Sequence, residues 1–135
     1  MKNLEEIEIR NNSLTFLGYQ ILFNVTPSLK VLDIRNSRLC RKSIELLCDK
    51  LPNITSLYLS ETGIDDAKLY HIAVNNTQLN VLYSDNNAIT YEGVCEVMCI
   101  IPHLYFISVK NTKIDKIEGK ILEQRAQIKG CLIEY

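Results

Sequence analysis

The sequence predicts an α/β solenoid: a right-handed βα superhelix in which a curved parallel sheet lines the inside and helices form the outside. Three observations lead there. Leu4, Leu29, Ile54, Leu79 and Leu104 stand twenty-five residues apart, four intervals in succession without insertion or deletion. Within each interval the apolar period changes from two to 3.6, as a strand followed by a helix requires. A short polar residue recurs at the point where the strand should turn away: Asn12, Ser37, Thr62, Asn87 and Thr112.

Each strand follows from the apolar columns. Counting from the five starts, apolar residues recur at the first, fourth, sixth and eleventh places. They are Leu4, Ile7, Ile9 and Leu14; Leu29, Leu32, Ile34 and Leu39; Ile54, Leu57, Leu59 and Ile64; Leu79, Leu82, Ser84 and Ile89; Leu104, Ile107, Val109 and Ile114. Ser84 alone breaks the pattern and reads as a packing compensation and a local weakness. The eighth place holds Asn11, Asn36, Asn86 and Asn111, with Glu61 the exception. Asparagine adopts turn conformations readily, so these residues are expected to serve the exit from each strand. The combined pattern resembles the L-x-x-L-x-L-x-x-N-x-L signature of leucine-rich repeats. The unit length and helical second half are similar to the ribonuclease-inhibitor type, over residues 4 to 128. The resemblance implies architecture; such proteins serve many functions, among them adaptors of ubiquitin ligases and host-directed bacterial effectors.

The helices follow from stripes at i, i+3, i+4 and i+7. Ile44, Leu47, Cys48 and Leu51 form one, Leu69, Ile72, Ala73 and Asn76 a second, and Val94, Val97, Met98 and Ile101 a third. The first helix carries Tyr19, Leu22 and Phe23. Thr15, Cys40, Asp65, Thr90 and Asp115 precede the helices, four of them good N-caps, and Pro27, Pro52 and Pro102 mark three exits. A single domain spanning 1–135 is expected, stabilised by stacking because no unit buries its own apolar faces. Residues 115–135 read as a C-terminal cap, with a helix around Ile117, Ile121, Leu122 and Ile128. Gly130 to Tyr135 should add a sixth strand with Leu132 pointing inward. Met1 to Asn3 are too short to supply a covering layer for the first unit, so that flank reads either as uncapped or as covered only by Met1 and neighbouring side chains folding over it.

Fifteen basic residues against sixteen acidic ones give no general field for nucleic acid or an anionic membrane. No apolar run approaches the ~20 residues of a membrane helix, and the N-terminus shows no signal-peptide core. With five cysteines in an irregular spacing, the expectation is reduced thiols and a cytoplasmic protein. The sequons opened by Asn11, Asn24, Asn53 and Asn75 then read as chance.

Alternation within the strands sorts core residues from candidate contact residues. The third, fifth and seventh places should face the concave side. Tyr58 and Tyr83 meet there on adjacent strands and Phe106 lies diagonally beside Tyr83. Around them Glu8, Arg10, Asp33, Arg35, Asp85 and Lys110 form a charged rim. Aromatics within a polar rim are the composition of a protein-binding hot spot, although cross-strand stacking also contributes to sheet stability. Mutual neutralisation is the plainer reading of Glu8, Arg10, Asp33 and Arg35. Five strands span only ~19 Å, room for a helix, loop or domain edge.

Catalysis has little support. His71 and His103, the two histidines, fall outside the concave places, and no P-loop or dinucleotide motif occurs. Cys95 and Cys99, one helical turn apart, lack the C-x-x-C spacing of a metal site. The expectation is a non-catalytic module without cofactor or metal that binds a protein partner on its concave sheet. Nucleic acid and membrane are not expected as partners. The alternative is a self-assembling subunit, a monomer or weak homodimer pairing through its N-terminal flank.

Overall fold

The computed structural model describes residues 1–135, in which strand and helix alternate strictly. The strands are β1 (Glu6–Glu8), β2 (Val31–Asp33), β3 (Ser56–Tyr58), β4 (Val81–Tyr83), β5 (Phe106–Ser108) and β6 (Leu132–Glu134). Between them lie α1 (Phe16–Val25), α2 (Arg41–Lys50), α3 (Asp66–Asn75), α4 (Tyr91–Ile100) and α5 (Lys116–Lys129). The six strands form one all-parallel sheet in sequence order, and each helix packs on the next. This is a solenoid-like arrangement of repeating βα units. From β1 to β5 the register advances by twenty-five residues per strand, Ile7 opposite Leu32, Leu57, Leu82 and Ile107. The sequence interval is therefore the structural repeat.

One apolar core of 30 buried residues runs between sheet and helices. The fourth-place residues from Leu32 onward are fully buried, and the three predicted helix stripes are buried as well, Asn76 included. Burial of a Leu or Ile side chain contributes ~1.5–3 kcal/mol each, so the repeated columns dominate stability. Where the strands end, Asn11, Asn36, Glu61, Asn86 and Asn111 all take left-handed backbone conformations, with φ of 52 to 58°. Four are Asn because this region costs Asn least after Gly; Glu61 holds the same turn with a less suitable side chain.

The ninth place staples each turn. Asn12 Nδ2 donates to the Ile9 carbonyl, Thr62 Oγ1 to Leu59 and Thr112 Oγ1 to Val109. Asn87 does most: its Oδ1 accepts from the amides of Thr62, Gly63 and Ile64, and its Nδ2 donates to Leu59 O and to Ser84 Oγ. Ser84 thus occupies a core column as the hydrogen-bond partner of a buried amide, a more specific reason for its hydroxyl than packing compensation. Asn76 is the core's exception, since its Nδ2 donates to Leu51 O while its buried Oδ1 finds no partner.

Four of the five helix starts are capped as the residue types suggest. Thr15, Asp65 and Thr90 accept from Gly18, Lys68 and Gly93 amides, and Asp115 with Glu118 forms a full capping box. Cys40 occupies the same place, but its thiol makes no capping bond and meets Ser43 Oγ at 3.3 Å instead. The start of α4 has a second support, because the Asp66 carboxylate accepts from Thr90 N and Oγ1. Gly93 leaves room for it: a Cβ there would lie 2.1 Å from Asp66 Oδ1.

The sixth strand is present, with one correction to its phase. β6 is offset by twenty-six residues from β5, so Leu132 pairs with Phe106 and Ile133 with Ile107. Ile133 therefore points inward and Leu132, 70% exposed, points out of the sheet. The extra residue enters because α5 runs four residues longer than its fellows, ends at Gly130 with φ 81°, and turns directly into the strand.

Candidate functional site

The sheet face turned away from the helices displays residues in rows. By the strand register, the third-place row runs Glu6, Val31, Ser56, Val81, Phe106 and Leu132. The fifth-place row runs Glu8, Asp33, Tyr58, Tyr83, Ser108 and Glu134. The structure brings the predicted aromatic trio together. Tyr58 and Tyr83 lie with ring centroids 4.8 Å apart and planes 12° from parallel, and Phe106 follows at 5.0 Å from Tyr83. Parallel rings that close cannot lie side by side in one plane, so they overlap face to face, and the sheet's own ~4.8 Å strand spacing sets their separation. Arg35 covers the other face of Tyr58, its guanidinium carbon 5.2 Å from the ring centroid. The result is a row Arg35, Tyr58, Tyr83, Phe106 in which Tyr58 has both faces covered, while Phe106 meets Tyr83 at a tilt of 39°. Burial is the main influence that raises the Tyr58 phenol above its ordinary pKa, with neighbouring Tyr83 adding to it and Arg35 opposing.

The charged end is organised around Asp33, which differs from its expected place on the rim. Asp33 is 2% exposed. Its Oδ1 accepts from the Arg35 amide and Nε at 3.2 and 3.0 Å, and its Oδ2 from Arg35 Nη2 at 2.7 Å and from Arg10 Nε. Burial alone pushes the carboxyl up; the bonds from the Arg35 side chain and amide and from Arg10, with the Arg35 charge, outweigh it, and the net displacement is downward. The same pairing raises Arg35. Asp33 is thus an anchor that orients two arginines, unavailable itself to a partner. The physical reason is length: the short carboxylate stays near the sheet while two long guanidinium side chains close over it. Glu8 stays exposed and meets Arg10 Nη2 at 3.3 Å.

At the far end Asp85 accepts from Ser108 Oγ at 2.6 Å and the Lys110 amide at 2.8 Å, and Lys110 Nζ pairs with Glu134. The pairing with Glu134 raises the Lys110 ammonium pKa. Two members of this surface, Leu132 and Glu134, escape a strict twenty-five-residue reading. Aligning Ile133 with Ile107, after treating Gly130 as the left-handed end of a longer helix, is the signal that finds them.

Other chemistry-bearing residues lie elsewhere. His71 lines a groove of about 350 Å³ between α2 and α3 with Arg41, Ile44, Glu45 and Lys68, while His103 is exposed ahead of β5. All five cysteines are free: Cys48 and Cys131 buried, Cys40 and Cys99 exposed, Cys95 between. Burial pushes the Cys48 thiol up to about 12. No group of three or more His, Cys, Asp or Glu side chains converges on a common point. No helix is long and apolar enough to cross a membrane.

Fold and surface together define an α/β protein of repeating strand–helix units, with one open face of a six-stranded parallel sheet carrying an aromatic row and an arginine pair. No protein-family model matches the chain, and no curated protein is significantly similar to it in sequence.

Proposed function

We propose that this chain is a non-catalytic protein-interaction module, a leucine-rich-repeat solenoid of ribonuclease-inhibitor-like type that captures a protein partner on the open, concave face of its sheet. The observation that carries the reading is the Arg35, Tyr58, Tyr83, Phe106 row, extended by exposed Leu132. Aromatic and arginine side chains at the centre of a surface, ringed by charges, have the make-up of an interface hot spot. Sheet stability alone does not require three aromatics outside the core. Tyr58 has both faces taken, by Arg35 and Tyr83, so it offers no open face for a base to stack on, and the near-balanced charge of the chain gives no general field for nucleic acid. Six strands at ~4.8 Å span ~24 Å, wide enough for one helix or one loop.

The test is capture from native lysate with the Tyr58→Ala/Tyr83→Ala double variant beside the unaltered chain. Both rings are partly exposed, so the double variant should fold, and partner yield should drop at least ~30-fold if each ring contributes ~1 kcal/mol or more. Undiminished yield would reject the concave site.

A second reading, self-association through the first unit, rests on a separate observation. In α1 the stripe Leu17, Ile21 and Val25, continued by Leu14 just ahead of the helix, is 41–61% exposed. The equivalents of Leu17 and Ile21 in α3, Ala67 and His71, line the groove shared with α2, so this is the side a preceding helix would cover. Leu17→Lys/Ile21→Lys should change monomer stability by no more than ~0.5 kcal/mol. Under this reading, sedimentation equilibrium would show the unaltered chain associating and the variant monomeric.

A further inference from the structure

Charge on the open face is unevenly paired, and the imbalance defines what would fit there. Five carboxylates, Glu6, Glu8, Asp33, Asp85 and Glu134, share the face with three cations, Arg10, Arg35 and Lys110, an excess of two negative charges. Every cation already has a carboxylate. Arg10 meets Glu8 and Asp33, Arg35 meets Asp33, and Lys110 meets Glu134. Glu6 and Asp85 are the two acids left without a cation, one on β1 and one just beyond β4.

Asp85 is the better placed of the two. It follows Tyr83 by two residues, so the alternation of the strand puts it on the same side of the sheet, beside the rings. Its Oδ1 accepts from Ser108 Oγ at 2.6 Å and from the Lys110 amide at 2.8 Å, which orients the carboxylate, while Oδ2 accepts from nothing in the chain. The Lys110 ammonium turns to Glu134 and feels the Asp85 charge only through space. The two arginines, which would repel a cationic guest, are held at the β1–β2 end against Asp33. On the other side of Tyr83, Phe106 and exposed Leu132 supply apolar area. The open acceptor and the apolar area therefore lie together at the β4–β6 end.

We infer that this end of the face takes a basic peptide segment: a Lys or Arg side chain with its head on Asp85 Oδ2 and its apolar stem against Tyr83 and Phe106, and a neighbouring apolar residue over Leu132. This rests on the reading of the open face as a protein-binding surface and adds the chemistry of the partner. Long cationic side chains join an apolar stem to a charged head, the same pairing that the rings and Asp85 present. A carboxylate already fixed by two hydrogen bonds gives up little freedom when it accepts another from a cation.

The experiment is selection of binders from a displayed library of random peptides on the unaltered chain, followed by affinity measurement on that chain, on Asp85→Asn and on Tyr58→Ala/Tyr83→Ala. Asp85→Asn keeps an oxygen for Ser108 and the Lys110 amide and removes the charge. Recovered peptides are expected to carry Lys or Arg at a fixed position beside an apolar residue. Changing that base to Gln should weaken binding to the unaltered chain ~10-fold or more, and should weaken it little further on Asp85→Asn, the signature of a direct pair. The change on the peptide side keeps the test decisive if Asp85→Asn fails to fold. Peptides that depend on Tyr58 and Tyr83 but lack a common base, or share an acid instead, overturn the basic assignment and leave the protein-binding face standing. So do peptides with a common base that bind Asp85→Asn as well as the unaltered chain. Peptides indifferent to the double tyrosine variant overturn both readings.

Discussion

The first and last units are built from the same twenty-five-residue pattern, yet they end the structure in different ways. At the C-terminal end α5 is the longest helix, started by the Asp115–Glu118 capping box and stopped by Gly130. It is followed by β6, which closes the sheet beside β5. The Tyr135 ring then lies against Gly119, where a Cβ would fall 2.1 Å from a ring carbon. At the other end β1 is the edge strand, Leu4 and Leu14 stay 37% and 41% exposed, and α1 turns an apolar stripe outward. Chain direction causes the asymmetry. Every helix follows its strand, so α5 is answered by one more strand, β6, whereas α1 packs on α2 alone among the helices.

The largest test of that contrast is paired truncation of the core. Phe23→Ala in α1 and Leu122→Ala in α5 each remove a fully buried side chain and should each cost ~3–4 kcal/mol by chemical denaturation. If Phe23→Ala costs under ~1 kcal/mol, the first unit is frayed in solution and contributes little to the array. Next is the lock at the closed end. Gly119→Val should cost ~1–3 kcal/mol by expelling the Tyr135 ring, and most of that cost should vanish when Tyr135→Ala is added, a coupling that a double-mutant cycle measures.

Asp33 gives a test at the open end, because it ties Arg10 of the first unit to Arg35 of the second. Its carboxyl is depressed in the folded protein, so its stabilisation is fully present above the ordinary carboxylate value of about 3.9 and is lost as pH falls through the lower folded value. Asp33→Asn should cost ~1–2 kcal/mol at neutral pH, a figure already reduced for the partial exposure of both arginines. It should also flatten the acid limb of the stability curve. An acid limb unchanged in the variant would show that this carboxylate does not couple the two units. The smallest effect is at the helix starts: Asp115→Ala should cost ~1 kcal/mol and Thr15→Ala about half that, since Asp115 accepts two amides at 2.8 Å and Thr15 one at 3.3 Å. Equal losses by thermal denaturation would remove this part of the asymmetry.

Much of the fold is legible in the sequence because a fixed interval carries long-range information that single residues lack. The pairing of Ile7 with Leu32 and onward follows from spacing alone, and four Asn residues announce the left-handed turns because so few residue types tolerate them. The aromatic trio is legible for the same reason, as alternation puts Tyr58 and Tyr83 side by side. What escapes is whatever depends on side-chain length or on a break in period. Asp33 reads as a rim charge because register gives direction and not depth, and only the reach of Arg10 and Arg35 over it makes it buried. Leu132 reads as inward because one extra residue between β5 and β6 flips the phase, as a slip of one must in a strand. Cys40 keeps a cap's place without a cap's bond, and the role of Gly93 depends on Asp66, a residue of the preceding unit that no local pattern links to it.

The unbroken interval also makes the width of the open face a counted quantity. Removing residues 54–78 would join the second unit to the fourth with every column still aligned, delete Tyr58 as a whole rung, and narrow the sheet by one ~4.8 Å step. Duplicating the same stretch would widen it by the same step and give two copies of that rung. Variation by whole units therefore changes the width of the open face in steps while the core columns stay in register, at the loss, when the third unit is the one removed, of the bonds that tie Asp66 to Thr90 and Asn87 to the turn at Thr62.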